Sequence, residues 1–352
     1  MRGLSALLVL LVSLVAACAV EDGADDEADV AGEEEALASH AIAGYAAVAP
    51  AEERVATKAI AARLGPAIAA GTKLAVIRTM TFEGKGARVV VNADTQVTSL
   101  VDAAALAAGS RGADVDGTAY ARSLAELRSS GKALRSLDAD APRVADESFT
   151  LTIDMCQSRK PWEKRLFDWA VALSGKLGKP VPIGIAMTGG WAKNHSAELD
   201  QILAWERGGK LAITWINHSS THPLHCLNES CSRANFLTDP RVDFDEEVLG
   251  LERTLLARGI VPAVLFRFPG LVHDANRLRQ LNRLSLMPLD ADGWIAKGEP
   301  IKDRAVVLVH GNGNEPQGIT GFLDQVQRPA RAATLTSGKS ALVSPLLAAP
   351  VQ

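Results

Sequence analysis

From Ser148 onward, strand-like and helix-like segments alternate, and this alternation constrains the fold more than any other feature of the chain. Ser148-Phe-Thr-Leu-Thr-Ile-Asp154 is a β-branched run ending in a carboxylate, and a helical pattern follows over Trp162 to Leu177. Further strand patterns fall at Val181 to Met187, Lys210 to Ile216, Val261 to Phe266 and Ala305 to Val309. Helical patterns fall between them at Ser196 to Arg207, Asp245 to Arg258 and Asp274 to Leu281. Strands that alternate with helices join into a parallel sheet or barrel through right-handed crossovers. Such folds carry their chemistry at the carboxyl ends of the strands.

The titratable residues gather at those ends. The first strand ends at Asp154, the third at Asn217-His218-Ser-Ser-Thr-His222-Pro223, the fourth at Arg267-Phe-Pro269-Gly270 and the last at His310, with Asp292-Gly-Trp294 lying between the last two. Two imidazoles four residues apart converge on one cation where the chain between them turns, and Ser219-Ser-Thr221 before a proline is turn material. A divalent metal there polarises an acyl oxygen and lowers the pKa of a bound water towards about 7. Asp154 is then placed to take the water's proton and His310 to protonate a leaving amine. Arg267 is expected to orient Asp154, and Asp292 to orient His310. Trp294 offers the cleft an apolar wall for substrate, with Asn217 and Pro269 beside it. Each residue also has a plainer reading: a helix cap for Asp154, a surface ion pair for Arg267, a turn for Asp292, a core ring for Trp294. His195 and His273 read as solvent-facing, and His225 as a loop residue or a partner of the metal pair.

The remaining sequence is chemically quieter. Leu4 to Val20 is an unbroken small and apolar run, too short for a membrane span of roughly 20 residues, and reads as a secretory signal. Its end, Val15-Ala-Ala-Cys18, resembles the bacterial lipobox, which implies acylation of Cys18 and a lipid-anchored protein of the cell envelope, sorted to the outer membrane. Nine acidic residues between Glu21 and Glu35 suit an extended tether, and without these two segments 36 basic residues face 32 acidic ones. That balance gives no sign of a nucleic-acid partner. With 47% hydrophobic residues in 352, the chain can bury a sizeable core.

The expected organisation is a signal over 1–18, an acidic linker over 19–40, a small α+β accessory region over 41–145, a catalytic domain over 146–325 and a loosely held tail over 326–352. In the accessory region, helices are expected from Pro50 to Leu64, Thr95 to Ala108 and Thr118 to Ser130. Strands are expected from Lys73 to Met80 and Ala87 to Val91, around a turn at Glu83-Gly-Lys-Gly. If Cys18 is lipidated, three cysteines remain. Cys226 and Cys231 are close enough to close a small disulfide loop, which leaves Cys156 unpaired.

Asp154 after its strand, His218-x-x-x-His222-Pro, Arg267-x-Pro, Asp292-x-Trp294 and Leu308-Val-His310 occur in the order and spacing of the five motifs of the polysaccharide deacetylases, the NodB-homology or carbohydrate esterase family 4 group. The resemblance spans about Ser148 to Phe322. It implies a distorted (β/α)7 barrel, a divalent metal, commonly zinc, and removal of N-acetyl groups from a polysaccharide or peptidoglycan-type substrate. One motif departs from the pattern. The family usually has two consecutive aspartates in the first motif, the second binding metal. Here Asp154 is followed by Met155 and Cys156, and methionine is a soft, weak ligand for a hydrolytic zinc. The third protein ligand is therefore open between Asp154, Cys156 and water. Two classes of function follow: a metal-dependent hydrolase of N-acetyl or O-acetyl groups, or a glycan-binding lipoprotein that keeps the fold without catalysis.

Overall fold

The computed structural model describes residues 39–350, apart from 49–52, 56–57, 108–109, 112–114, 116, 140–142 and 230–233. The Cys18 acylation motif, the acidic linker and Cys231 lie outside the described residues. The accessory region forms β1 (Ile42–Ala47), β2 (Glu53–Val55), β3 (Lys73–Phe82), β4 (Lys85–Asn92), β5 (Thr98–Asp102), α1 (Ala103–Ala107), β6 (Ser110–Arg111), α2 (Ala119–Ser130) and β7 (Leu134–Leu137). β3 and β4 make the expected hairpin, turning on Glu83 and Gly84 at φ 50° and 73°, the left-handed pair that a tight hairpin requires. Neither of two expected helices forms over its full length among the described residues. The segment from Pro50 to Leu64 holds β2, and most of Thr95 to Ala108 is β5 and the short α1. β5 pairs along β4 and its residues Thr98 to Val101 are all buried. Burial against a neighbouring strand outweighs a helical preference of a few tenths of a kcal/mol per residue.

The second part alternates as expected: β8 (Glu147–Met155), α3 (Lys164–Leu177), β9 (Val181–Met187), α4 (Gly189–Asn194), α5 (Ser196–Arg207), β10 (Leu211–Asn217), α6 (Phe244–Ala257), β11 (Leu265–Phe266), α7 (Ala275–Arg283), β12 (Met287–Pro288), β13 (Gly293–Trp294), β14 (Val306–His310) and α8 (Pro316–Val326). Seven parallel strands lie in the order β12-β11-β10-β9-β8-β14-β13. This is the distorted, incompletely closed barrel that the motifs imply. β12 and β13, at its two ends, do not pair with one another, and β7 of the accessory region lies in that gap. Leu134 bridges to Leu289 beside β12, and Ser136 bridges to Ala305 at the foot of β14.

Because side chains alternate along a strand, each barrel strand sorts its residues onto two faces. Leu151, Ile153 and Met155 of β8 join Ile183 and Ile185 of β9 and Val307 and Val309 of β14 in one core with Leu166, Phe167, Leu199 and Ile202 of the outer helices. On the other face, Ala186, Ile216, Leu265, Met287 and Leu308 share a core with Ile77, Val89, Val91 and Leu100 of the accessory sheet. The accessory region therefore fills the concave side of the barrel. Across this junction, Arg78 of β3 makes two hydrogen bonds, of 2.6 and 2.8 Å, to Glu252 of α6, whose carboxylate also accepts from Tyr45 at 2.6 Å.

The expected loose tail is ordered over its described residues. It forms α9 (Pro329–Ser337), β15 (Ser340–Leu342) and β16 (Ala348–Pro350); β15 extends β8 in parallel and β16 pairs with β7. Leu335, Leu342 and Ala348 supply its buried contacts, which a reading by composition alone overlooks. No helix among the described residues is long and apolar enough to cross a membrane.

Candidate active site

The alternation that builds the barrel decides what its rim presents. Asp154 has the parity of Thr150 and Thr152, opposite to the helix-facing Ile153 and Met155, and Cys156 continues the series of Asp154. His218 follows Ile216 on the concave side. Asn217 has the opposite parity, and its amide donates to Val248 O in α6 at 2.9 Å and accepts from Ser219 N. Asn217 is thus a structural brace and does not line the cleft as expected.

His218 Nδ1 lies 2.7 Å from the Arg267 carbonyl oxygen. A carbonyl only accepts, so Nδ1 carries the proton and Nε2 turns its lone pair inward, 3.5 Å from Cys156 Sγ and 3.7 Å from Asp154 Oδ2. Both ring nitrogens of His222 are buried without a hydrogen-bond partner among the described residues, and the two imidazoles stand 4.9 Å apart at 76°. Burial is the leading reason that each pKa is pushed down to about 3, so both rings are neutral at physiological pH, the state in which imidazole binds metal. The loop that brings them together is held in an uncommon conformation, with Ser219 and His222 at φ 71° and 49°. Glu247 of α6 pins it, accepting from Thr221 N at 2.9 Å and Thr221 Oγ1 at 2.5 Å. Backbone strain of this kind persists where its surroundings over-determine it.

One donor atom from each of Cys156, His218 and His222 lies within 4.8 Å of the others. Unpartnered neutral imidazoles with a sulfur and a carboxylate beside them fit a borderline divalent cation. Met155, packed in the helix-facing core, takes no part. Cys156 and Cys226 are both disulfide-bonded, which corrects the expectation of an unpaired Cys156. Since the thiolate is the ligand form of cysteine, the bonded state leaves the two imidazoles as the donors of that group.

Arg267 reaches the Asp154 carboxylate. Its Nη1 donates to Asp154 Oδ1 at 3.2 Å and its Nη2 to Thr152 Oγ1 at 2.9 Å. His310 lies beside Asp154 on the adjacent strand. Its partner is not Asp292, whose Oδ1 accepts from Val306 N at 2.7 Å and so braces the start of β14. Glu315, just before α8, holds that place. Its Oε2 lies 2.6 Å from His310 Nδ1 and accepts from Trp294 Nε1 at 3.2 Å. Glu315 lies outside every recognised motif, and its one sequence signal is its position five residues after His310. Trp294 is nearly buried, stands 5.7 Å from the His310 ring and has Lys297 Nζ 3.5 Å from its ring centre. It is closer to a core ring than to an open wall. Pro269 is buried at the start of a single 3₁₀ turn, Pro269–Leu271.

Two histidines read as solvent-facing are also placed otherwise. His195 is buried against Trp191, with Nε2 2.9 Å from Ser158 O, and His273 Nε2 lies 3.3 Å from Asp290 Oδ2. His225 is half-exposed beside Asp239 rather than at the metal pair. The glycines of the last strand end allow close approach: a Cβ on Gly311 would meet Met155 Sδ at 2.6 Å, and Gly313 has φ 79°.

No protein-family model matches the chain. Among solved structures it is similar to a peptidoglycan N-acetylglucosamine deacetylase, at 16% identity over 61% of this chain and 92% of that one, with TM-score 0.42. It is also similar to a family 4 carbohydrate esterase from Bacillus subtilis, at 15% identity over 63% and 86%, with TM-score 0.43. A CE4 family pseudoenzyme from Bacillus anthracis is similar at 12% identity over 84% and 90%, with TM-score 0.37. These are likenesses of architecture; the chemistry rests on this chain's own residues.

Proposed function

We propose that the chain is a polysaccharide deacetylase-like hydrolase that removes N-acetyl or O-acetyl groups from a glycan of the cell envelope. The observation that carries this reading is the convergence, on one barrel rim, of two neutral imidazoles with an Arg267-oriented carboxylate and a Glu315-oriented histidine. A binding protein needs no such set. His218 and His222 would hold a divalent cation, zinc by preference, which when bound would supply charge stabilisation to the acyl oxygen and a more acidic water. Asp154 accepts the proton of the water whose oxygen attacks the acyl carbon. Arg267 keeps that carboxylate aimed while the proton arrives. The Glu315 carboxylate lies beside His310, and His310 protonates the departing nitrogen as the carbon–nitrogen bond breaks. The products are acetate and a free amine.

The rival reading, a glycan-binding protein without catalysis, is favoured by one observation: Asp154, His218, His222, Arg267 and His310 are each no more than 3% exposed. Acetate release from acetylated chito-oligomers and from peptidoglycan, measured on the zinc-loaded protein, decides between them. The hydrolase reading expects release that disappears in Asp154→Asn and falls by roughly 10²- to 10⁴-fold in His310→Ala. No release from any acetylated glycan, with binding retained, overturns it. The export reading rests on the apolar run from Leu4 to Val20, and the acylation reading on Val15-Ala-Ala-Cys18 at its end. Cys18→Ser is expected to abolish partition into the detergent phase, and unchanged partition refutes acylation.

A further inference from the structure

A groove of about 690 Å³ runs between α2 of the accessory region and α7 of the barrel, lined among others by Arg128, His273, Arg279, Asn282 and Arg283. Its cations lack counter-ions among the described residues. Neither Arg279 nor Arg283 makes an ion pair or hydrogen bond there, and Arg128 only donates to Asn282 Oδ1, at 3.4 Å. The one acidic lining residue, Asp274, is occupied in capping α7, where it accepts from Arg277 N at 2.8 Å. Arg279 and Arg283 are four residues apart on one helix, so they stand on the same face about 6 Å apart along its axis. At one end of the groove His273 contacts Asp290 and stands 5.2 Å from the ring of Phe268, the residue after Arg267. The groove therefore adjoins the rim that carries the candidate active site.

We propose that this groove binds an anionic glycan, a chain bearing carboxylate or phosphodiester groups, and presents it to the rim. Guanidinium groups match both anions through paired N–H donors, and several separated cations along one groove suit successive charges of a polymer better than a single ion. The volume lies in the range of ligand-binding clefts. The groove exists only because α2 packs beside α7, which gives the accessory region a task in substrate capture. This inference rests on the hydrolase reading for the glycan nature of the ligand, but its test measures binding alone and stands whether or not acetate is released.

Binding of the full chain to fluorescent polygalacturonate, to poly(glycerol phosphate) and to neutral chitohexaose is measured by anisotropy at low and high salt. One or both polyanions are expected to bind, with affinity falling steeply as salt rises, and the preferred one identifies the anion. Arg279→Ser with Arg283→Ser is expected to weaken that binding by about tenfold or more, leaving chitohexaose affinity and the circular dichroism spectrum unchanged. Arg279→Lys with Arg283→Lys should recover part of the loss, which a merely structural effect would not. Absence of polyanion binding, or affinity insensitive to the serine pair, overturns the proposal.

Discussion

A carboxylate 2.6 Å from a histidine nitrogen places a negative charge against the ring, and at His310 that carboxylate belongs to Glu315. Glu315→Gln keeps the shape while removing the charge. It is expected to lower turnover by about 10- to 10³-fold and to move the alkaline limb of the pH–rate profile, which a general acid sets, to lower pH, because the negative charge beside the imidazole is gone. Asp292→Asn, which touches only Val306 N, is expected to leave that profile in place and to affect thermal stability instead. Equal loss of turnover in both variants, without a profile shift in the first, would take the orienting role away from Glu315. Met155 offers a second test at this scale. Its side chain packs among Ile153 and the outer helices, so Met155→Asp buries a charge and should lower stability by several kcal/mol without raising zinc affinity. Tight zinc binding with an unchanged melting temperature in that variant would show that residue 155 faces the site instead.

Between elements, the strongest polar link is the one between β3 and α6. Arg78 and Glu252 are 1% and 2% exposed, and Arg78 also donates to Leu284 O at 2.8 Å. A buried pair of this kind stabilises little against a well-packed apolar pair, but removing one member strands the other's charge. Arg78→Ala or Glu252→Ala is therefore expected to lower unfolding stability by about 3–5 kcal/mol, measured by urea denaturation. The double substitution to apolar residues of similar volume should recover much of that loss. Single variants within about 0.5 kcal/mol of the parent would mean that the junction is not held this way.

For the molecule as a whole, accessory sheet, barrel and C-terminal segment share cores, so local chemistry is coupled to global stability. The neutral His218 and His222 illustrate this. Their folded-state pKa values of about 3 lie below the ordinary 6.5, so below pH 6.5 the unfolded chain takes up protons that the folded one refuses. Stability of the metal-free protein is therefore complete above about pH 6.5 and falls progressively as the pH drops from there towards 3, by a few kcal/mol for the pair. Denaturation midpoints at pH 7.5 and 4.5 test this. The decline should be smaller in the double variant His218→Gln with His222→Gln, and an equal decline in parent and variant would remove the pair as its cause. Zinc should raise the midpoint of the parent and not of that variant.

Much of the site is legible in the sequence, because motif order and strand periodicity are local properties. Asp154, His218, His222, Arg267 and His310 fall at strand ends and meet as expected. Strand parity alone separates Asn217 from His218 and Met155 from Asp154, since a strand turns successive side chains to opposite faces. What the sequence could not determine comes from long-range packing. The segment from Thr95 to Ala108 is helix-like by composition and becomes β5 because β4 lies beside it. The residues after Pro329 read as a loose tail and instead extend β8 and pair with β7. Glu315 reaches His310 because the turn into α8 folds back over the rim, and Arg78 finds Glu252 across 174 residues of chain. Sequence by itself specified which polar residues sit at the strand ends. Tertiary structure decided which carboxylate serves which histidine, because that depends on distances between elements that no local pattern encodes.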